Sequence, residues 1–108
     1  MVEVKKIGVL GSGSWGTAMI KMLTENSENI LWHVRNDNQA KHIIKTGKNP
    51  NYLKNLKIDL NKVFISSKID EIIKKSDVII ITIPSPYIHK NLIEYKSILK
   101  NKVIFSGS

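Results

Sequence analysis

The sequence predicts an α/β domain built on a doubly wound parallel sheet. Three observations carry this: short β-branched runs alternate with segments of helical period, the strongest run is apolar throughout, and a glycine-rich turn joins the first run to the first helix. A strand that is apolar on both faces needs cover on both faces, as in a parallel sheet with helices above and below. The 108 residues suffice for one such domain and fall short of the roughly 250 of a (β/α)₈ barrel.

The elements follow in order. Lys6-Ile7-Gly8-Val9-Leu10 is the first strand, stopped by Gly11. From Trp15 the period becomes helical: Trp15, Ala18, Met19, Met22 and Leu23 fall on one face and are expected to point inward. Asn26 to Asn29 ends that helix, and Ile30-Leu31-Trp32-His33-Val34 is the second strand. The polar stretch Arg35 to Gln39 caps a helix running to about Thr46, closed by Gly47. Asn, Pro and Lys make Lys48 to Asn61 a loop, and Val63-Phe64-Ile65 a short third strand. Ser66 or Ser67 is expected to cap a helix through Lys75, with Asp70 and Glu71 suiting its positive end. Asp77 to Ile83 is the strongest strand. Pro84-Ser85-Pro86 ends it, with Ser85 as cap and Pro86 at the first position of a helix to about Leu99 that turns Ile88, Leu92 and Leu99 inward. Val103-Ile104-Phe105 opens a last strand, so the sheet is expected to be incomplete at its C-terminal end. No repeat, linker or domain boundary interrupts residues 1–108.

Composition excludes several functions. Lys and Arg number 17 against 9 acidic residues, a net charge of +8. The excess is 16 Lys and a single Arg, with no lysine run longer than two, within a chain that also carries 18 Ile and 10 Asn. A phosphate-tracking surface would cluster its charge and favour arginine, so no specific nucleic-acid partner is expected. No apolar run reaches the roughly 18–20 residues of a membrane span, and the N-terminus is no signal peptide, so no membrane insertion and a cytoplasmic location are expected. With no cysteine there is no disulfide, thiolate nucleophile or Cys-based zinc site.

The chemistry concentrates in Gly11-Ser12-Gly13-Ser14-Trp15-Gly16, a G-x-G-x-x-G between the first strand and the first helix. The first glycine permits the tight turn, the second lets backbone approach a pyrophosphate, and the third lets helix and strand pack closely. The helix start then offers free amides and partial positive charge to the anion. In this strand-turn-helix setting the motif points to a dinucleotide and a Rossmann-type domain. An acidic residue at the end of the second strand suits the ribose of NAD, and an arginine there suits the 2′-phosphate of NADP. Arg35 stands there and leans the reading to NADP(H), while Asp37 keeps NAD(H) open if the strand runs longer. Trp15 serves either helix packing or contact with the pyrophosphate or nicotinamide.

Other chemistry finds little footing. His33, His42 and His89 lack metal-ligand spacing, no serine sits in a nucleophile elbow, and spacing nominates no carboxylate pair.

With those residues in view, Leu10 to Ala18 strongly resembles the cofactor loop of bacterial NAD(P)-dependent glycerol-3-phosphate dehydrogenases, which typically read G-A-G-S-W-G-T-A. Leu31-Trp32-His33-Val34-Arg35 looks like the family's strand ending in Trp and a basic residue. Asn49-Pro50-Asn51-Tyr52-Leu53 looks like its N-x-x-Y-L-P loop, with Lys54 in place of the proline, and Ser76 to Ser85 like its strand ending in V-P-S. The resemblance implies reversible hydride transfer between NAD(P)H and dihydroxyacetone phosphate, giving sn-glycerol 3-phosphate for phospholipid synthesis, by a homodimer. It places Gly11, Ser12, Gly13, Ser14, Trp15 and Gly16 at the cofactor, Arg35 at the 2′-phosphate, Tyr52 nearby, and Ile83 and Pro84 beside it at the strand ends.

By the same resemblance Ser108 stands for the serine of the family's S-K-G, and the helical substrate domain with its catalytic lysine is expected to be absent. Residues 1–108 are then a cofactor domain with no catalytic residue, which binds cofactor at best. A stand-alone NADP(H)-binding module without catalysis is the alternative, and a nucleic-acid binder driven by the +8 charge, whose binding would fall steeply with salt, a third.

Overall fold

A computed structural model describes residues 5–83 and 93–106. Its strands are β1 (Ile7–Leu10), β2 (Ile30–His33), β3 (Val63–Ser66), β4 (Val78–Ile81) and β5 (Val103–Ser106). The helices are α1 (Ser14–Thr24), α2 (Asp37–Thr46), α3 (Ile69–Lys75) and α4 (Lys96–Leu99), with a 3₁₀ turn, Ile93–Tyr95, before α4. The sheet is wholly parallel in the order β3-β2-β1-β4-β5. Leu10 is level with His33 and Ile81, and these with Ser66 and Ser106, so all five strands end along one edge.

Side-chain alternation divides the core in two. Val9, Ile30 and Trp32 face Ile20 of α1, Ala40 and Ile43 of α2, and Ile58. Leu10, Leu31, Ile79 and Ile81 face the other way, against Ile72 and Ile73 of α3 and the partly buried Ile98 and Leu99 of α4. Helices therefore cover both faces, as the doubly apolar strands required. From β1 the chain steps outward through β2 to β3 and returns on the far side of β1 as β4. That reversal creates a crevice between the carboxyl ends of β1 and β4, the place where open α/β sheets bind ligands.

Several local expectations are corrected. The buried face of α1 is Gly16, Thr17, Ile20 and Thr24, with Met19 and Leu23 partly buried against the core, whereas Trp15 and Met22 are about half exposed. Gly16 sits so close to the Gly11 carbonyl that it dictates the rotation of the helix and turns Trp15 outward. Neither serine caps α3: Lys68 is its N-cap residue, Ser66 Oγ accepts from the Lys68 amide and donates to Glu71, and Ser67 Oγ donates to Asp37. Ser66 still belongs to β3, which places its hydroxyl one step too early for a cap. β4 spans Val78–Ile81 rather than Asp77 to Ile83: its partner β1 ends at Leu10, where Gly11 turns the chain away, and the amide and hydroxyl of Thr82 both donate to the Leu10 carbonyl at 2.9 Å at that end. Asn36 caps α2 through its side chain and Gly47 closes it in a left-handed conformation, as expected. The expected roles of Pro84, Ser85, Pro86, Ile88 and Leu92 lie outside the described residues.

Candidate functional site

The glycine loop emerges from β1 directly into the crevice. Gly11 has φ of 126°, which strongly favours glycine, and a Cβ on it would run into the Thr82 hydroxyl. A Cβ on Gly16 would collide with the Gly11 carbonyl, reaching its carbon at 2.8 Å and Thr82 Oγ1 at 2.9 Å. The protein's own packing thus accounts for both outer glycines. Gly13 is different: its backbone is extended, which any residue accepts, and a Cβ there would meet nothing within 4 Å among the described residues. Packing among the described residues leaves that position open to a side chain.

The carbonyls of the loop are each held from behind. Gly11 O accepts from Trp32 Nε1 at 2.8 Å. Ser12 O accepts from Asn49 Nδ2 at 3.0 Å and from Gln39 Nε2 at 3.4 Å. Gly13 O accepts from the Thr17 amide at 2.9 Å and from Thr17 Oγ1 at 2.7 Å. In a trans peptide the N–H of the next residue points opposite to the carbonyl, and there are no cis bonds here. The amides of Ser12, Gly13 and Ser14 are consequently aimed away from the protein body. With those of Trp15 and Gly16 they form five successive amides that donate to no acceptor among the described residues. No side chain caps α1 and no acidic residue occupies its first turn, so the positive end of the helix dipole is left for an anion.

The remaining expected residues take distinct places. Ser12 is buried, and its hydroxyl accepts from the Arg35 amide at 3.1 Å while donating to Gln39 Oε1 at 3.2 Å. Its side chain is therefore committed to the protein rather than displayed. Ser14 and Trp15 are exposed, the latter by 49%. Arg35 is exposed just beyond β2, fastened to the loop by its amide, and its guanidinium is in no ion pair among the described residues. Asp37 lies in the first turn of α2, where the Ser67 hydroxyl donates to its carboxylate on the β3 side. Tyr52 is exposed on the loop after α2, whose start is tied to the site by Asn49. Ile83 is half-buried beside Gly11, and Pro84 lies outside the described residues.

The contacts of Trp32, Thr17, Gln39, Asn49 and Thr82 around the loop have no signature in the sequence. Asn36 and Gln39 have the spacing of a capping box, which would return the Gln39 side chain to the helix start. It reaches the glycine loop instead. Among the described residues no group of acidic or His side chains could hold a metal, and no helix is long and apolar enough to cross a membrane.

His33 closes the edge of β2, with Nδ1 buried and lacking a hydrogen-bond partner among the described residues. Burial lowers its pKa below the ordinary histidine value, against a hydrogen bond with the Ser67 backbone that raises it. The unfolded chain takes up a proton near pH 6.5 while the folded ring resists, so this stabilisation is full above that pH and declines as the pH falls through it. The urea midpoint is expected to drop between pH 7.5 and 5.5, and less so in His33→Gln. An unaltered slope in the variant would assign the dependence elsewhere.

The chain matches, over residues 6–106, the family model described as NAD-dependent glycerol-3-phosphate dehydrogenase N-terminus. A curated relative, glycerol-3-phosphate dehydrogenase (NAD(P)+) of Ectopseudomonas mendocina, is 30% identical over 98% of this chain and 31% of its own length. The chain thus spans about a third of the length of the curated relatives it matches across nearly all its residues. Among solved structures, a Plasmodium falciparum glycerol-3-phosphate dehydrogenase superposes with a TM-score of 0.83 at 25% identity, covering 94% of this chain and 31% of that one. A Coxiella burnetii glycerol-3-phosphate dehydrogenase gives 0.84 at 22% identity over 95% of this chain and 32% of that one, a likeness of fold.

Proposed function

Because the chain belongs to the family defined by the N-terminus of NAD-dependent glycerol-3-phosphate dehydrogenases, we propose that its glycine loop binds the pyrophosphate of a nicotinamide dinucleotide. The observation that carries this is Gly13: an unobstructed position that protein packing leaves unexplained, beside outward amides at an uncapped helix start. These residues fit a dianionic diphosphate, since aimed amides and a helix dipole favour negative charge. Ser14 and Trp15 would line the ligand from the exposed side, Tyr52 would lie nearby, and Ile83 and Pro84 would border the nicotinamide end. Ser12 takes part through its backbone and positions Arg35.

The cofactor preferred is NADP(H), with NAD(H) also bound. Arg35 supports this as an exposed guanidinium held next to the loop, while Asp37, the nearest acidic alternative, is engaged by Ser67. Calorimetric titration should show NADPH binding more tightly than NADH. Arg35→Ala should weaken NADPH by about tenfold or more, a charge-assisted contact being worth ~1.5–3 kcal/mol, and leave NADH nearly unchanged. Equal losses for both cofactors, or none, would overturn the preference.

Residues 1–108 act in this reading as the cofactor domain, with substrate held by a helical domain outside them. In the complete protein, a cytoplasmic homodimer, the bound dinucleotide supplies or receives the hydride that interconverts dihydroxyacetone phosphate and sn-glycerol 3-phosphate for phospholipid synthesis. The part played by this chain is to hold and orient the cofactor. Alone it binds cofactor without turning over dihydroxyacetone phosphate, because the carbonyl must be held and its developing charge stabilised by groups it does not provide.

A further inference from the structure

A glycine at position 13 leaves room for a ligand, but it also leaves the peptide between Ser12 and Gly13 free to rotate. Some other group must hold that peptide with its N–H outward. Asn49 is fully buried, and every hydrogen-bonding position of its carboxamide is used. Nδ2 donates to Ser12 O at 3.0 Å and to Thr17 Oγ1 at 2.9 Å. Oδ1 accepts from Gln39 Nε2 at 3.0 Å and from the Asn51 amide at 2.9 Å.

The directions are consistent around the whole cluster. The Arg35 amide donates to Ser12 Oγ, Ser12 Oγ to Gln39 Oε1, Gln39 Nε2 to Asn49 Oδ1, Asn49 Nδ2 to Thr17 Oγ1, and Thr17 Oγ1 to Gly13 O. Turning the Asn49 amide over would face its donors toward the Asn51 amide and Gln39 Nε2, so only one orientation satisfies the site. Of the two side chains on Ser12 O, Asn49 makes the shorter bond, Gln39 standing at 3.4 Å.

We propose that Asn49 is a positioning residue of the phosphate site: by holding the Ser12 carbonyl it aims the Gly13 amide at a phosphate oxygen of the dinucleotide, without touching the ligand. The same carboxamide fixes the Asn51 amide, so one side chain seats both the phosphate loop and the segment bearing Tyr52. The inference rests on the dinucleotide reading above.

Asn49→Asp tests it, because the carboxylate keeps the shape and removes both donors. Dissociation constants for NADPH and NADH would be measured on the 108-residue chain and on the variant, at a temperature where circular dichroism shows both folded. Both cofactors should weaken by the same factor, about tenfold to a hundredfold, with their ratio preserved, because the pyrophosphate is common to them and Arg35 is untouched. A folded variant that binds both as the original chain does overturns the proposal and leaves the dinucleotide reading standing. An original chain that binds neither removes that reading, and this one with it. Should Asn49→Asp fail to fold, the unmodified chain still decides: with inorganic pyrophosphate added to the ¹⁵N-labelled chain, the Gly13 amide should show one of the largest shifts. An unmoved Gly13 amide among shifting neighbours overturns the role of Asn49.

Discussion

Gly13→Asp is expected to fold as stably as the original chain, or slightly more so, and to weaken NADPH and NADH by about a hundredfold or more. The two halves of this result have separate causes. A Cβ at position 13 meets no atom of the described residues within 4 Å and the backbone there is already extended, so the fold accommodates the substitution. Position 13 is also the N-cap of α1, where aspartate is favoured: its carboxylate accepts from first-turn amides, worth a few tenths of a kcal/mol over glycine, and its charge suits the helix dipole by about 0.3–1 kcal/mol. Those same amides are the ones aimed at the ligand. Occupying them and placing negative charge against a diphosphate removes at least two charge-assisted hydrogen bonds of ~1.5–3 kcal/mol each. Thermal melting beside calorimetric titration reads both halves. A variant that melts far lower would show that Gly13 serves packing, and one that binds normally would move the site away from the loop.

Gly16→Ala should do the reverse, lowering stability by about 3 kcal/mol although it adds a single methyl group. That methyl would overlap the Gly11 carbonyl, a backbone group that cannot swing aside because Trp32 Nε1 holds its oxygen. To relieve the overlap α1 must move off β1, opening the packing of Ile20 and Thr17, both fully buried. For a domain of this size the melting temperature should fall by roughly 10–20 °C. A change of only a degree or two would mean that the helix and strand are less closely apposed than described. The pair separates a glycine kept for the fold from a glycine kept for the ligand.

The broad architecture was legible because strand and helix periods differ so plainly in this chain. Val78 to Ile81 is apolar on both faces and sits inside the sheet, between β1 and β5, as its composition asks. The glycine loop was legible too, since three glycines at fixed spacing between a strand and a helix have few other uses. The rotation of α1 was not, because apolar periodicity weighs Trp15 and Met22 as core residues and is blind to the one contact, Gly16 on Gly11, that sets the helix face. The carboxamides of Gln39 and Asn49 were equally hidden. Asn and Gln usually mark surfaces and turns, and only the three-dimensional packing of the first turn of α2, bearing Gln39, and the return of the loop after α2, bearing Asn49, bring them beneath Ser12. Ser12 shows the same limit from the other side: its place in the motif was plain, whereas the inward turn of its hydroxyl depended on partners distant in sequence.

The central claim is that this chain holds a dinucleotide on the amides around Gly13, and its two tryptophans both stand at that loop. Trp15 is half exposed beside it and Trp32 donates to the Gly11 carbonyl. The most direct measurement is therefore a titration of the 108-residue chain with NADPH, followed by tryptophan fluorescence, with Gly13→Asp titrated in parallel. A saturable change in the original chain that is lost in the folded variant is the predicted result. The same saturable change in both proteins would contradict it.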